Sequence, residues 1–344
     1  MEPPQNNVDE NGFPQRSTFD ESTDSSERAP TRIPWRWVIF GTPLVVLLIA
    51  AVVYGPDLYT LFLMNRAVQR MNAQQDFEGA LTDLDRAVSL SDNRDTRVVR
   101  GLIQMSRGDQ LTTEALEAAV KDFDAAVERE PGLFSTRPLW EVRVLQAQAL
   151  QLLSFKVPEQ ADGLHKRALE AYDGAIELAE QDSKSPTPTI GKLQLANLYN
   201  GRAYTRAVAG RQLEGGLEDI NAALNLLKLD TSQTASDQER SRAAFLDTRG
   251  YLYVRLGQGK EALADLEEAV KLARDSRPQV LKETQAIGAS AGGILLLEQQ
   301  LKETEAVLLH HRGEAHQLLG NEKEAKDDIA EAEQLGYDPA NGVF

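Results

Sequence analysis

The residues best suited to metal or acid–base chemistry lie close together near the end of the chain. His310, His311, Glu314 and His316 are all potential metal ligands. On a helix, His310 and Glu314 share one face because they are four residues apart, whereas His311 and His316 each point elsewhere. A single helix therefore cannot bring three of these ligands together, and we expect structural roles for them and no metal site.

No known catalytic motif accompanies this cluster. The chain has no G-x-S-x-G, H-E-x-x-H, P-loop or dinucleotide fingerprint, and it has no cysteine. The acidic pairs Asp327-Asp328 and Glu267-Glu268 are expected on solvated faces of helices. A formal charge of −16 argues against a nucleic-acid partner, since binding phosphate requires clustered Lys and Arg. We therefore expect no enzyme activity, no catalytic residue and no cofactor.

Two stretches of the chain, Asp247–Leu272 and His310–Leu335, repeat one another. They are identical at eleven of 26 aligned positions and begin 63 residues apart. Small residues at helical spacing predict two closely packed helices joined by a tight turn in each copy, and these residues are Gly250, Gly257, Ala262 and Ala269, then Gly313, Gly320, Ala325 and Ala332. A repeated helical hairpin indicates a stacked solenoid, whose usual role is to bind other proteins.

The spacing small–x6–Gly–x4–Ala–x3–large–x2–Ala resembles the tetratricopeptide repeat, a helix-turn-helix unit of about 34 residues. The segment beginning at Leu246 fits best, although Arg274 replaces the usual proline. Weaker copies of the second helix occur earlier, at Gly79–Leu90, Ala119–Pro131, Ala168–Leu178 and Gly216–Leu226. The resemblance implies an all-α solenoid of about five to six helical hairpins over residues 60–340. Residues 278–299 are extra, and they form either an extended helix or an additional hairpin.

The resemblance also implies where a partner would bind, because the first helices of such repeats line a concave groove. The implied groove residues are Asn197, Asn200, Tyr204, Asp247, Tyr251, Val254, His310, Glu314 and Gln317. Related domains grip a terminal carboxylate with Lys, Arg and Asn, but here Asp247 and Glu314 would repel one. The groove better suits an extended peptide with basic or apolar side chains. The alternative, that these positions are ordinary solvated helix faces, stays open for each residue.

Ahead of the repeats, the composition changes twice. Residues 1–33 form an acidic, polar segment that is expected to be disordered. Residues 37–54 run without a charge and predict a transmembrane helix; a cleaved signal peptide and a buried helix are the alternatives. Arg28, Arg32 and Arg36 precede the apolar run, which predicts a cytoplasmic N-terminus and an extracytoplasmic repeat domain.

Together these features predict a membrane-anchored scaffold that binds a peptide or protein segment in the concave groove of its repeats. The alternative is a membrane-spanning regulator whose cytoplasmic tail is modified or bound while the repeats bind an extracytoplasmic partner. The expected partners are a protein or peptide of unknown identity and the lipid bilayer, through residues 37–54.

Overall fold

A computed structural model describes residues 54–72, 75–106, 111–133 and 135–338, and these residues are organised almost entirely as helices. Residues 54–72 are helical and form α1. The helices that follow are α2 (Phe77–Leu90), α3 (Arg94–Met105), α4 (Thr113–Glu128), α5 (Leu139–Lys156), α6 (Ala161–Ser183), α7 (Lys192–Ala209), α8 (Leu213–Lys228), α9 (Ala235–Arg255), α10 (Gly259–Ala286), α11 (Ala291–Leu319) and α12 (Glu322–Gln334). A short 3-10 turn, Pro158–Gln160, leads into α6.

These twelve helices of the described residues pair into six consecutive hairpins, from α1–α2 to α11–α12. Each helix packs against the next one in the chain, and the first helices of successive hairpins also touch, α7 against α9 and α9 against α11. These contacts place α7, α9 and α11 next to one another along one side of the stack, the side that corresponds to the concave face expected of tetratricopeptide-like repeats. The second helices α2, α4, α6, α8, α10 and α12 include the second-helix patterns recognised in the sequence.

Within a hairpin, a small residue on the first helix allows the second helix to approach closely. A Cβ atom added to Gly250 would lie 2.5 Å from Leu266 Cγ, so only a glycine fits at this crossing. Gly257, which follows α9, adopts φ +73°, a left-handed conformation that favours glycine and ends the helix. Gly313 and Gly320 occupy the same two places in the last hairpin, where Gly320 has φ +76°. The repeat alanines Ala262, Ala269, Ala325 and Ala332 are all buried.

An arginine–aspartate pair joins the two helices in five of these six hairpins. In each pair the arginine Nε donates to Asp Oδ2 over 2.7–2.8 Å, and the aspartate is at most 8% exposed. The pairs are Arg66–Asp83, Arg100–Asp122, Arg202–Asp219, Arg249–Asp265 and Arg312–Asp328. The third hairpin has Ala171 in place of this aspartate, immediately before Tyr172.

These pairs correct the expectation that Asp327-Asp328 lies on a solvated face. Asp327 is exposed, but Asp328 is 5% exposed and accepts hydrogen bonds from Arg312. The Arg312 guanidinium supplies two parallel donors to this carboxylate, one to each oxygen. In the second acidic pair, Glu267-Glu268, the first residue is exposed and Glu268 forms an ion pair with Arg242 at 2.6 Å.

The extra residues 278–299 lengthen α10 and α11, so they do not form an additional hairpin. Pro278 lies inside α10, which continues to Ala286, and Ser290 caps the start of α11 by accepting a hydrogen bond from Gly293 N. At the base of this extension, Arg274 Nε donates to the buried Glu305 over 2.5 Å. The tip is apolar and open to solvent, with Ile287 85% exposed.

The predicted membrane location is not supported and is corrected here. No helix in the described ranges is both long enough and apolar enough to cross a membrane. The predicted disordered segment, residues 1–33, and the predicted span, residues 37–54, lie outside the described residues apart from Tyr54.

Candidate functional site

A cavity of about 390 Å³ opens among the first helices of the last four hairpins, α5, α7, α9 and α11. Its volume falls within the usual range for ligand pockets, roughly 300–1,000 Å³. Most of its polar lining consists of amides and hydroxyls, from Gln148, Gln151, Asn197, Asn200, Tyr204, Thr248 and Thr304, and among the residues that the structure describes Asp247 is the only charged one in the lining. We call this space the amide cavity.

Helix α7 contributes three of the residues that sequence analysis assigned to the groove. Asn197, Asn200 and Tyr204 follow one another at intervals of three and four residues, so they share one face of the helix. That face looks into the amide cavity because α7 lies between α5 and α9. The tyrosine is the most buried of the three, and its burial raises the pKa of the Tyr204 hydroxyl well above its ordinary value.

Helix α5 supplies the deepest polar group of the cavity, which sequence analysis missed. Gln151 is 1% exposed, and its Oε1 lies 3.3 Å from the Thr205 hydroxyl, which also donates to the Gly201 carbonyl. Its Nε2 has no hydrogen-bond partner among the described residues, and neither has Oδ1 of Asn200. A buried polar atom without a partner is costly, so this free donor and free acceptor mark a place suited to a ligand.

Asp247 faces the cavity from α9, but its charge is already compensated. His311 Nδ1 lies 2.8 Å from Asp247 Oδ1, and both side chains are buried. Burial by itself would lower the pKa of His311, but the adjacent carboxylate, through its charge and hydrogen bond, raises that pKa above its ordinary value. The pair therefore behaves as an internal ion pair, and it presents little net negative charge to a ligand.

Aromatic rings surround this ion pair. Tyr251 stacks on His311 with the ring centroids 4.1 Å apart, and Tyr204 lies next to Tyr251 at 6.2 Å. Burial raises the pKa of Tyr251 above its ordinary value. Stacking of this kind restricts the rotation of the His311 ring and so fixes Asp247 at the wall of the cavity.

Three of the predicted groove residues lie on α11, outside the lining of the amide cavity. His310 stacks on Tyr337 at 4.0 Å, and burial together with neighbouring His311 lowers the pKa of His310 to about 4. Its Nε2 is 3.8 Å from Glu314 Oε1, and burial raises the pKa of Glu314. Gln317 is exposed near the end of α11. Val254 also lies outside the cavity, packed against the apolar cluster of Ala262, Leu266 and Ala315.

The histidine cluster does not converge. His316 contacts Asn321 instead of the other two histidines, with His316 Nδ1 3.2 Å from Asn321 Nδ2. Within the residues that the structure describes, no three His, Asp or Glu side chains are placed to hold a metal ion. That the chain is not an enzyme stays a prediction.

Comparison with known proteins gives one family match, in the fifth hairpin. The tetratricopeptide repeat model matches residues 243–276, which cover most of α9 and the first half of α10. A curated relative, the tetratricopeptide repeat protein 36 homolog of Drosophila melanogaster, is 36% identical over 101 residues. That alignment covers 29% of this chain and 46% of the relative, so the chain spans less than half of the relative's length.

Two solved structures are also similar to this chain. BtubC (BKLC) from P. vanneervenii matches with a TM-score of 0.46 at 15% identity, over 82% of this chain and 92% of that chain. The tetratricopeptide repeat domain of P58(IPK) matches with a TM-score of 0.22 at 14% identity, over 80% of this chain and 98% of that chain. The match to the family model falls on a hairpin with the expected glycine and alanine packing, so residues 243–276 of this chain form a tetratricopeptide repeat.

Proposed function

We propose that this chain is a non-enzymatic scaffold that binds an extended segment of a partner protein along its concave face, centred on the amide cavity. Tetratricopeptide repeats generally mediate protein–protein interaction, and this chain carries such a repeat. The observation that carries the proposal is the pair of unpartnered amide atoms, Gln151 Nε2 and Asn200 Oδ1, on the wall of a cavity shared by four first helices.

The chemistry of the lining favours a peptide over an anionic ligand. No lysine or arginine lines the cavity in the described part of the chain, so there is no counter-charge for a carboxylate or phosphate. Amide side chains such as Asn197 and Asn200 can both donate and accept, which matches the alternating N–H and C=O groups of an extended main chain. The Asp247–His311 pair leaves this surface close to neutral, so the expectation of a basic segment, drawn from Asp247, loses part of its basis.

The test uses the full chain and a library of random twelve-residue peptides. Binders selected from the library are measured by fluorescence anisotropy, and their position is mapped with a photo-crosslinking amino acid at Gln148, which lines the cavity. A matched probe at Glu177, which is exposed on the second helix α6, serves as the control. We expect adducts at 148 and few at 177.

A blocking substitution completes the test. Asn197 is exposed and lines the cavity, so Asn197→Arg should fill the groove and abolish binding without unfolding α7, while Glu177→Arg should leave binding unchanged. If no peptide is selected, or if the two arginine variants bind equally well, the concave face is not the binding site.

A further inference from the structure

The lining of the amide cavity runs from exposed residues to fully buried ones. Gln151, at its base, is 1% exposed, and the cavity walls include the buried side chains of Leu198, Val307 and Leu308. A peptide backbone resting on the open face contacts the outer residues, such as the exposed Asn197. Because Gln151 is buried, we expect a side chain projecting from this backbone, and not the backbone itself, to approach Gln151 Nε2.

The group at the tip of that side chain must satisfy a donor and an acceptor. Gln151 Nε2 needs an acceptor, because its Oε1 already faces the Thr205 hydroxyl, and Asn200 Oδ1 needs a donor. A primary carboxamide carries both in one rigid, uncharged plane. A carboxylate offers no donor for Asn200 Oδ1, while an ammonium group offers no acceptor for Gln151 Nε2.

We infer that the amide cavity is a specificity pocket for the side chain of a glutamine in the bound peptide. The two methylene groups of glutamine span the apolar wall, and its carboxamide pairs with Gln151 and Asn200 at the base. Asparagine is one methylene shorter and fits less well. This inference rests on the proposed peptide binding and adds the identity of the side chain that the cavity selects.

The neutral surroundings support an uncharged occupant. Among the described residues that line the cavity, the one carboxylate is Asp247, and His311 Nδ1 lies 2.8 Å from its Oδ1, so Asp247 does not supply a free counter-charge for lysine or arginine. An uncharged group avoids the desolvation that a charged side chain would suffer beside Leu198 and Val307.

The experiment begins with peptides selected by the full chain and aligned on the residue that crosslinks at position 148. We expect glutamine to be enriched there. In each selected peptide this residue is replaced by glutamate, methionine or asparagine, and Kd is measured. Glutamate and methionine should weaken binding about tenfold or more, since each leaves buried polar atoms unpaired, and asparagine should weaken it less.

Two variants of the protein separate this inference from the proposed function. Gln151→Met keeps the volume of the side chain but removes the donor, so the peptide should still bind while the preference for glutamine over methionine falls, with only Asn200 left to recognise the carboxamide. Gln285→Met, at an exposed position of α10 outside the cavity, is the matched control and should keep the full preference. Thermal melting followed by circular dichroism verifies that both variants are folded, and Asn200→Leu tests the acceptor in the same way if Gln151→Met melts early.

Each outcome decides one point. Selected peptides that carry charged or aliphatic residues at the crosslinked position, or a glutamine preference that survives both Gln151→Met and Asn200→Leu, overturn the glutamine pocket while peptide binding stands. N-acetylglutamine methylamide, added as a competitor, should displace selected peptides at millimolar concentration if the carboxamide is the recognised group. Failure to select any peptide overturns both proposals.

Discussion

The arginine–aspartate pair of the fifth hairpin should contribute strongly to stability, and it should do so asymmetrically. Arg249 donates from Nε and Nη2 to the two oxygens of Asp265, both over 2.7 Å, and from Nη1 to Asn221 at 3.0 Å. The side chain of Arg249 is 25% exposed and that of Asp265 is 11% exposed. When its partner is removed, the arginine can turn toward water, whereas the carboxylate is left buried between two helices.

The perturbation is a double-mutant cycle with Arg249→Met and Asp265→Leu. Removing one member of a buried ion pair costs about 3–5 kcal/mol, so Arg249→Met should lower the free energy of unfolding by about 3 kcal/mol. Asp265→Leu should cost only about 1–2 kcal/mol, because the orphaned guanidinium is partly solvated. The double variant should lose about 1 kcal/mol, since an apolar pair of similar volume replaces a buried ion pair at little cost.

The assay must report on this hairpin, because repeat arrays unfold in segments. Native-state hydrogen exchange of amides in α9 and α10 gives the local free energy, and urea unfolding followed by circular dichroism gives the global one. The matched control is the exposed pair Asp237–Arg240 on the same helix, with side chains 41% and 46% exposed, where Arg240→Met should cost less than about 1 kcal/mol. Equal losses for Arg249→Met and Asp265→Leu would refute the asymmetry. A double variant as unstable as the sum of the single ones would refute the coupling between the two side chains.

Three further predictions concern packing, pH and the extension. Gly250→Ala should destabilise the chain by about 1–3 kcal/mol, because the new Cβ would lie 2.5 Å from a leucine side chain, whereas Gly163→Ala, with nothing within 4 Å, should be neutral or stabilising in the same melts. The His311–Asp247 pair raises the pKa of His311, so its stabilisation should be fully present below about pH 6.5 and be lost as pH rises through the raised pKa. His311→Gln should remove that slope from urea midpoints measured between about pH 6 and 9; an unchanged slope would contradict the assignment. At the tip of the extension, Ile287→Ser should change stability by less than about 0.5 kcal/mol, because the side chain is 85% exposed; a larger loss would mean that the tip packs against something.

The sequence by itself determined the local design of the hairpins. Small residues at fixed spacing, such as Gly250 and Gly257, predict a close helix crossing and a turn, and both properties depend only on residues a few positions apart. The alignment of the two repeated stretches also contained evidence of the ion pair, since Arg249 and Asp265 recur as Arg312 and Asp328 in the second copy. The two members are sixteen residues apart in both copies, and they meet because the tight turn between the two helices folds the chain back on itself.

Only the tertiary structure decided how the surfaces of different hairpins combine. Gln151 and Asp247 are 96 residues apart in the sequence, yet they line one cavity because α5, α7, α9 and α11 stack side by side. Asp247 appeared in the sequence as a free acidic group, and the structure paired it with His311 from the next hairpin. Helical periodicity fixes which face a side chain is on, but the charge and hydrogen bonding at that face depend on neighbours brought together by stacking, which no local pattern encodes.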